Sequence, residues 1–325
     1  MFLHIGLEVS MSVTEDFKEV INDFASMLEN GTSNDVTILL EDGEIKANKD
    51  VLMARSSYFS SMLNIDYNYV ESQSGVVNLN YAKKAVMHGI VYYLFAGQID
   101  YKTFTIEQLV EMLNHTRMIV IDKLSLGIEN HLTSSLGKKE MLVGDLLKGF
   151  VLAHRFNLDY MIKPFITAIH MKVKVGYTKS CLEVFQNLTV DVIKTLFLTV
   201  DDQVQTATST ESKLCRFYLW YRNEPNSKLM KDEDKREILE TFDLTKLTED
   251  KLEKVRKWNL FTNDDVDKSL VAIIRRLRDE KKDLQNWVTE LEMKLSDKPN
   301  ELKSDLLQRI SRLKKEVADR RSSFD

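Results

Sequence analysis

Two cysteines in 325 residues, Cys181 and Cys215, stand at no paired spacing. That excludes a disulfide framework and a cysteine-rich zinc site, and it points to a reducing compartment, the cytoplasm or the nucleus. Long apolar runs are also missing. No stretch approaches the roughly 18 residues needed to cross a bilayer, so no membrane partner is expected. The opening MFLHIGLEVS is apolar but lacks a basic start, and it reads as no signal peptide, with Met11 an alternative start. Glycine-rich strand repeats are absent, which excludes a propeller. So are the zincin helix motif, the nucleophile elbow and the dinucleotide loop. Gly137-Lys138-Lys139 has the end of a phosphate loop, but the glycine required five positions earlier is Leu132. Gly137 then reads as a linker between domains. His115 and His131 have no partner ligands at metal spacing, and His154 reads as a packed or capping histidine. The chain is expected to be no enzyme and to carry no cofactor or metal.

Charge of one sign is not in large excess. The net charge is −5, but residues 270–325 hold 14 Lys/Arg against 11 Asp/Glu, and the remainder holds 31 against 39. A modestly acidic body argues against nucleic acid as the main partner. Length and the 43% hydrophobic content fit about two or three domains with sizeable cores.

What is present centres on Asp35–Leu63, DVTILLEDGEIKANKDVLMARSSYFSSML. Val36, Ile38 and Leu40 alternate with Thr37 and Leu39, which predicts a strand. Asp42-Gly43 suits a two-residue hairpin turn with positive φ angles, and Glu44 to Ala47 returns as the partner strand. From Asp50 the period becomes helical through Val51, Leu52, Tyr58, Phe59, Met62 and Leu63. Ahead of this lies a helical stripe, Phe17, Val20, Ile21, Phe24, Met27 and Leu28, ended by Asn30-Gly31. Behind it, NIDYNYVESQSGVVNLN reads as a loop leading to a short strand at Val76–Leu79.

The stretch resembles the core of BTB/POZ domains. Asp35-Val36, Ala47, Val51-Leu52, Ala54, Ser57-Tyr58-Phe59 and Met62-Leu63 carry the likeness, while Asn48 stands where the family has His. Residues 146–166, 188–224 and 238–255 are similar to the helices of the BACK domain that often follows BTB. The resemblance implies an α+β fold: a small sheet flanked by helices (14–136), an all-α BACK domain (140–262) and a coiled-coil tail (266–322). It also implies a homodimer, with Phe17, Val20, Ile21 and Phe24 on the leading helix at the interface and Asp35 and Lys49 in a charged pocket near it. Tyr69 and Glu71 match the hydrophobic-x-Glu element by which adaptors of this kind hold the cullin-3 N-terminal domain. Phe95, in place of a tyrosine, implies a third cullin contact that lacks the hydroxyl.

The tail has its own pattern. Leu270, Ile274, Leu277, Leu284, Val288, Leu291 and Leu295 alternate spacings of three and four, with Lys281 breaking the seam. After Pro299, Leu306, Ile310, Leu313 and Val317 resume it. That predicts a coiled coil, between chains or as a helical pair within one. Arg275, Arg276, Arg278, Lys281 and Lys282 read as its solvated face. The function expected is a dimeric adaptor that brings an unknown protein substrate to a cullin-3 RING ubiquitin ligase. The alternative is a BTB-dimer scaffold, regulator or cullin-binding decoy.

Overall fold

The computed structural model describes residues 19–31, 33–138, 140–172, 179–199, 207–296 and 308–315. They fall into two compact units, Met1–Asp201 and Asp202–Asp325.

The first unit opens with helix α1, residues 19–30. Strand β1 (Val36–Leu40) buries Val36, Ile38 and Leu40, as its alternation predicts. It pairs antiparallel with β2 (Gly43–Ala47) and parallel with β3 (Val76–Leu79), giving the sheet order β2-β1-β3. A parallel partner requires a crossover, which here carries α2 (Lys49–Arg55), α3 (Ser57–Leu63) and α4 (Val70–Ser74). The hairpin turn differs from expectation by one position. Leu40 pairs with Gly43, so Glu41 and Asp42 form the turn. Of Glu41, Asp42 and Gly43, only Gly43 has positive φ. The cause is tertiary. Asp42 Oδ1 accepts the Lys84 backbone N–H at 2.6 Å, and the Glu41 N–H donates to the Ala82 carbonyl at 3.0 Å. Both bonds hold the turn to the start of the next helix.

That helix, α5 (Lys84–Ala96), is buried along most of its length, including Ile90, Val91 and Leu94. Helix α6 (Ile106–Met118) begins with a reciprocal cap between Thr105 and Gln108, and α7 (Asp122–Leu136) follows. Four more helices complete the unit: α8 (Val143–Arg155), α9 (Asp159–Lys172), α10 (Lys179–Gln186) and α11 (Val190–Leu198). Gly137 does not end the packing. Helix α8 lies on α6 and α9, and Lys148 pairs with Glu107 at 3.0 Å. A Cβ on Gly149 would collide with Ile106 and Phe165, so only glycine permits this approach. His154 Nε2 meets Thr195 Oγ1 at 3.1 Å, and His170 Nε2 meets the Leu196 carbonyl at 3.3 Å. Both histidines thus tie α8 and α9 to α11. Helices α8 to α11 thus belong to the first compact unit.

The second unit is helical: α12 (Ala207–Tyr221), α13 (Glu224–Leu229), α14 (Asp232–Glu240), α15 (Glu249–Arg256), α16 (Asn263–Ser296) and α17 (residues 308–315). Phe217 stacks with Trp220 and Tyr221 and meets Phe242. Trp220 and Phe217 are fully buried. Glu211, within α12, pairs with Lys251 at 2.5 Å. The tail forms the expected long helix, and the second apolar stretch comes back against it. Lys314 pairs with Glu292 at 2.6 Å, Arg309 stands 6.0 Å from the Trp287 ring, and Val288 and Ile310 are buried. Leu270, Ile274, Leu277, Lys281, Leu284 and Leu291 stay half-buried. Leu306, Val317 and Pro299 lie outside the described residues.

Candidate protein-interaction site

The site is built where α3, α4 and the α6–α7 corner meet. Ser56 sets their relation. Its N–H closes α2 on the Leu52 carbonyl, its Oγ accepts the Phe59 N–H to cap α3, and the same Oγ donates to the Ile119 carbonyl at 2.9 Å. One buried hydroxyl therefore fixes two helices and the corner after a third.

The stretch read as a loop before β3 is ordered by local polar bonds. Asn64 Oδ1 accepts the Asp66 N–H to start a 3₁₀ turn at Ile65–Tyr67, and Asn68 ends it in the left-handed region. Helix α4 follows, with Ser72 Oγ donating to the Tyr69 carbonyl at 2.7 Å and Gln73 Nε2 donating to Asn68 Oδ1 at 2.7 Å. Gly75 closes α4 at φ 66°, and a Cβ there would stand 2.8 Å from the Asp35 carbonyl. Its carbonyl accepts the Thr37 N–H at 2.8 Å, which joins the helix end to the sheet. Tyr69 stands at the N-cap and Glu71 in the first turn, where the helix dipole favours a carboxylate.

These elements enclose an open groove of about 470 Å³, lined by Ser57, Tyr58, Ser61, Met62, Tyr69, Glu71 and Val120. Tyr69 and Glu71 are thus brought together. Glu71 is the one charged side chain among the described residues that line it. Burial, then the neighbouring Tyr81 and Glu71, push the Tyr58 hydroxyl above the usual tyrosine range. It stays a protonated donor at neutral pH. Beside the groove, Ile65 and Val70 are 68% and 77% exposed, and the Tyr67 and Tyr69 rings lie 6.4 Å apart. Exposed apolar side chains gathered beside a groove mark a candidate interaction surface.

The other expected site residues lie elsewhere. Phe95 is 5% exposed, packed within α5, and does not line the groove. Asp35 and Lys49 do meet, but through the backbone: Asp35 Oδ1 accepts the Lys49 N–H at 2.7 Å. Beside them Asn48 caps α2 at the Val51 N–H (3.1 Å) and donates to the Ser33 carbonyl (3.0 Å). On α1, Val20 and Phe24 are 49% and 39% exposed while Ala25 and Leu28 are buried, and Ile21 is half-buried. Phe17 lies outside the described residues. The seam residues Ile274, Leu277, Leu284, Val288 and Leu291 are all on α16. Sequence reasoning did not assign Tyr58, Met62 and Val120 to a site. Tyr58 and Met62 carried a signal, sharing a helix face at i and i+4, whereas Val120 carried none.

No group of His, Cys, Asp and Glu among the described residues could hold a metal ion. No described helix is long and apolar enough to cross a membrane.

Comparison with known proteins bears on residues 24–136, which match the family model described as BTB/POZ domain. Among curated proteins the chain is similar to human Rho-related BTB domain-containing protein 2. The two are 26% identical over 144 residues, 43% of this chain and 19% of that protein. The chain therefore spans about a fifth of the length of that relative. Among solved structures it is similar to the BTB domain of human Gigaxonin, at 22% identity and a TM-score of 0.30. That match covers 35% of this chain and 89% of that one. The BTB domain of zebrafish PATZ1 is 17% identical with a TM-score of 0.31, covering 38% of this chain and 95% of that one.

Proposed function

We propose, taking residues 24–136 as a BTB/POZ domain, that the chain is a dimeric protein-interaction adaptor. It holds the N-terminal domain of cullin-3 on the Tyr69–Glu71 groove and brings a protein substrate to the RING ubiquitin ligase. BTB domains mediate dimerisation and protein contacts, and the mechanism is proximity rather than chemistry. The observation that carries the reading is the groove itself: an apolar surface with one acid, beside side chains as exposed as Val70. Helices α8 to α11, directly after the BTB residues, suit the BACK-like segment that widens such a surface in adaptors of this kind. The exposed α1 stripe, with Val20 and Phe24, suits a dimer interface. The part of the α16 seam that is only half-buried suits contact with a substrate or a second tail.

Calorimetry of the full chain against the cullin-3 N-terminal domain tests the reading. Wild type binds, and the double variant Tyr69→Ala, Glu71→Lys binds more than about tenfold more weakly, the size expected for losing a central anchor. Undiminished binding by the double variant would exclude the groove, and no wild-type binding would exclude the function. The burial of Phe95 favours a second reading, a BTB scaffold or regulator that uses the dimer without a ligase. That reading predicts no cullin binding. A decoy predicts cullin binding without substrate degradation.

A further inference from the structure

The α6–α7 corner is made in an unusual way. The Ile121 N–H donates to the Thr116 carbonyl at 2.8 Å and the Val120 N–H to the Arg117 carbonyl at 3.4 Å. This is the double hydrogen bond of a left-handed helix end, which places its central residue at positive φ. That residue is Val120, at φ 55°. A β-branched side chain there crowds its own backbone, which makes the position an outlier among L residues.

The same chain shows what the geometry ordinarily takes. Helix α8 ends by the matching pair, Leu158 N–H to the Ala153 carbonyl and Asn157 N–H to the His154 carbonyl, with Asn157 at φ 53°. Positive φ follows α1 at Gly31, α4 at Gly75, α5 at Gly97 and α15 at Asn259. Glycine and asparagine therefore serve every other such helix end among the described residues. Val120 is not held in place by the core either, because half of it is exposed. Glycine or asparagine would relieve the strain without opening a cavity. What Val120 does touch is the groove, which it lines together with Tyr69 and Glu71.

We propose that Val120 is a partner-contact residue of the groove, and that its strained backbone is kept because the surface needs an aliphatic side chain at that point. The inference rests on the reading that the groove binds a partner. That partner is a protein segment presenting an aliphatic side chain to Val120 and Met62, with a Lys or Arg beside it. The commitment to a cation follows from charge complementarity, since Glu71 is the one charged group among the described lining residues. An apolar contact with Val120 and an ion pair with Glu71 together define one binding face.

The test compares the full chain with Val120→Gly, Val120→Asn and Val120→Ile, by thermal melting and by calorimetry against the cullin-3 N-terminal domain. The Gly and Asn variants melt about 2–4 °C higher, as relief of strain in a domain of this size requires, and bind at least fivefold more weakly. The Ile variant keeps the affinity and gains no stability. Opposite signs of stability and affinity are the signature, because a strained residue that touched no partner would gain stability with its affinity unchanged. Unchanged affinity in Val120→Gly and Val120→Asn, with wild type binding, overturns this inference and leaves the proposed function standing. Absence of any rise in melting temperature overturns the strain argument. A wild-type chain that fails to bind overturns the groove's assignment and this inference with it.

Discussion

Single polar atoms hold the groove in shape. Ser56 is the clearest case, since its hydroxyl is buried and serves both α3 and the Ile119 carbonyl. Ser56→Ala leaves that carbonyl and the α3 N-terminus short of a partner. The full chain should lose about 1–2 kcal/mol, read from the urea midpoint. A midpoint equal to wild type would mean that solvent replaces the hydroxyl. Gly75→Ala should cost as much or more, because φ is positive there and the Asp35 carbonyl blocks the new Cβ. His115 gives a pH dependence. It is buried beside Tyr81, and burial holds its protonation below the ordinary value near 6.5, with Glu111 opposing. Burial and the nearby Lys138 move His131 the same way. The unfolded chain therefore takes up these protons first as pH falls. Stability is fully present above about pH 6.5 and declines below it. Melting temperature followed from pH 7.5 to 5 should fall in this window, less steeply in His115→Gln. An identical slope in the variant would exclude His115 as a source. At this scale the sequence showed Tyr69 and Glu71, whose types matched a known pattern. It did not show Val120, because a valine after a helix carries no mark of positive φ.

Elements were legible where periodicity is strong. The alternation of Val36, Ile38 and Leu40 gave β1, and the apolar run through Ile90 and Leu94 gave a buried α5. The hairpin turn was misplaced by one residue because Asp42 is recruited to cap α5, a bond to a residue 42 positions away. Helix α4 has the sequence of a loop because its polar letters, VESQS, bury only Ser72 and leave no apolar stripe. In the tail, the spacing of three and four residues predicted a long helix, and α16 runs 34 residues. The spacing could not say which surface would cover the seam. Part of the answer is α17, which buries Ile310 near Val288. Ile310→Asp should detach it, seen as faster amide exchange in residues 308–315 and 284–291 with the first unit unchanged. Unaltered exchange would mean that the Lys314–Glu292 and Arg309–Trp287 contacts suffice.

The assembly is decided at the scale of the whole molecule. Val20 and Phe24 of α1 leave apolar surface that stands exposed among the described residues. If a second copy covers it, wild type sediments at twice the chain mass at micromolar concentration, and Val20→Asp with Phe24→Asp sediments as one chain. A wild type that sediments as one chain would remove the dimer from the proposal. The division into units belongs to this scale too. Gly137 follows the end of the BTB/POZ match at residue 136, yet α8 packs on α6 across it and belongs to the same compact unit.

By itself the sequence determined the small sheet, the helical remainder and the BTB likeness of the front third. These rest on periodicity and on residue types at short range, where side-chain spacing alone chooses the backbone. Tertiary structure alone decided that Tyr69 and Glu71 share a groove with Val120, that Phe95 is hidden and that α8 stays with the first unit. Each of these depends on contacts between residues far apart in the chain, which only the closing of the fold brings within reach.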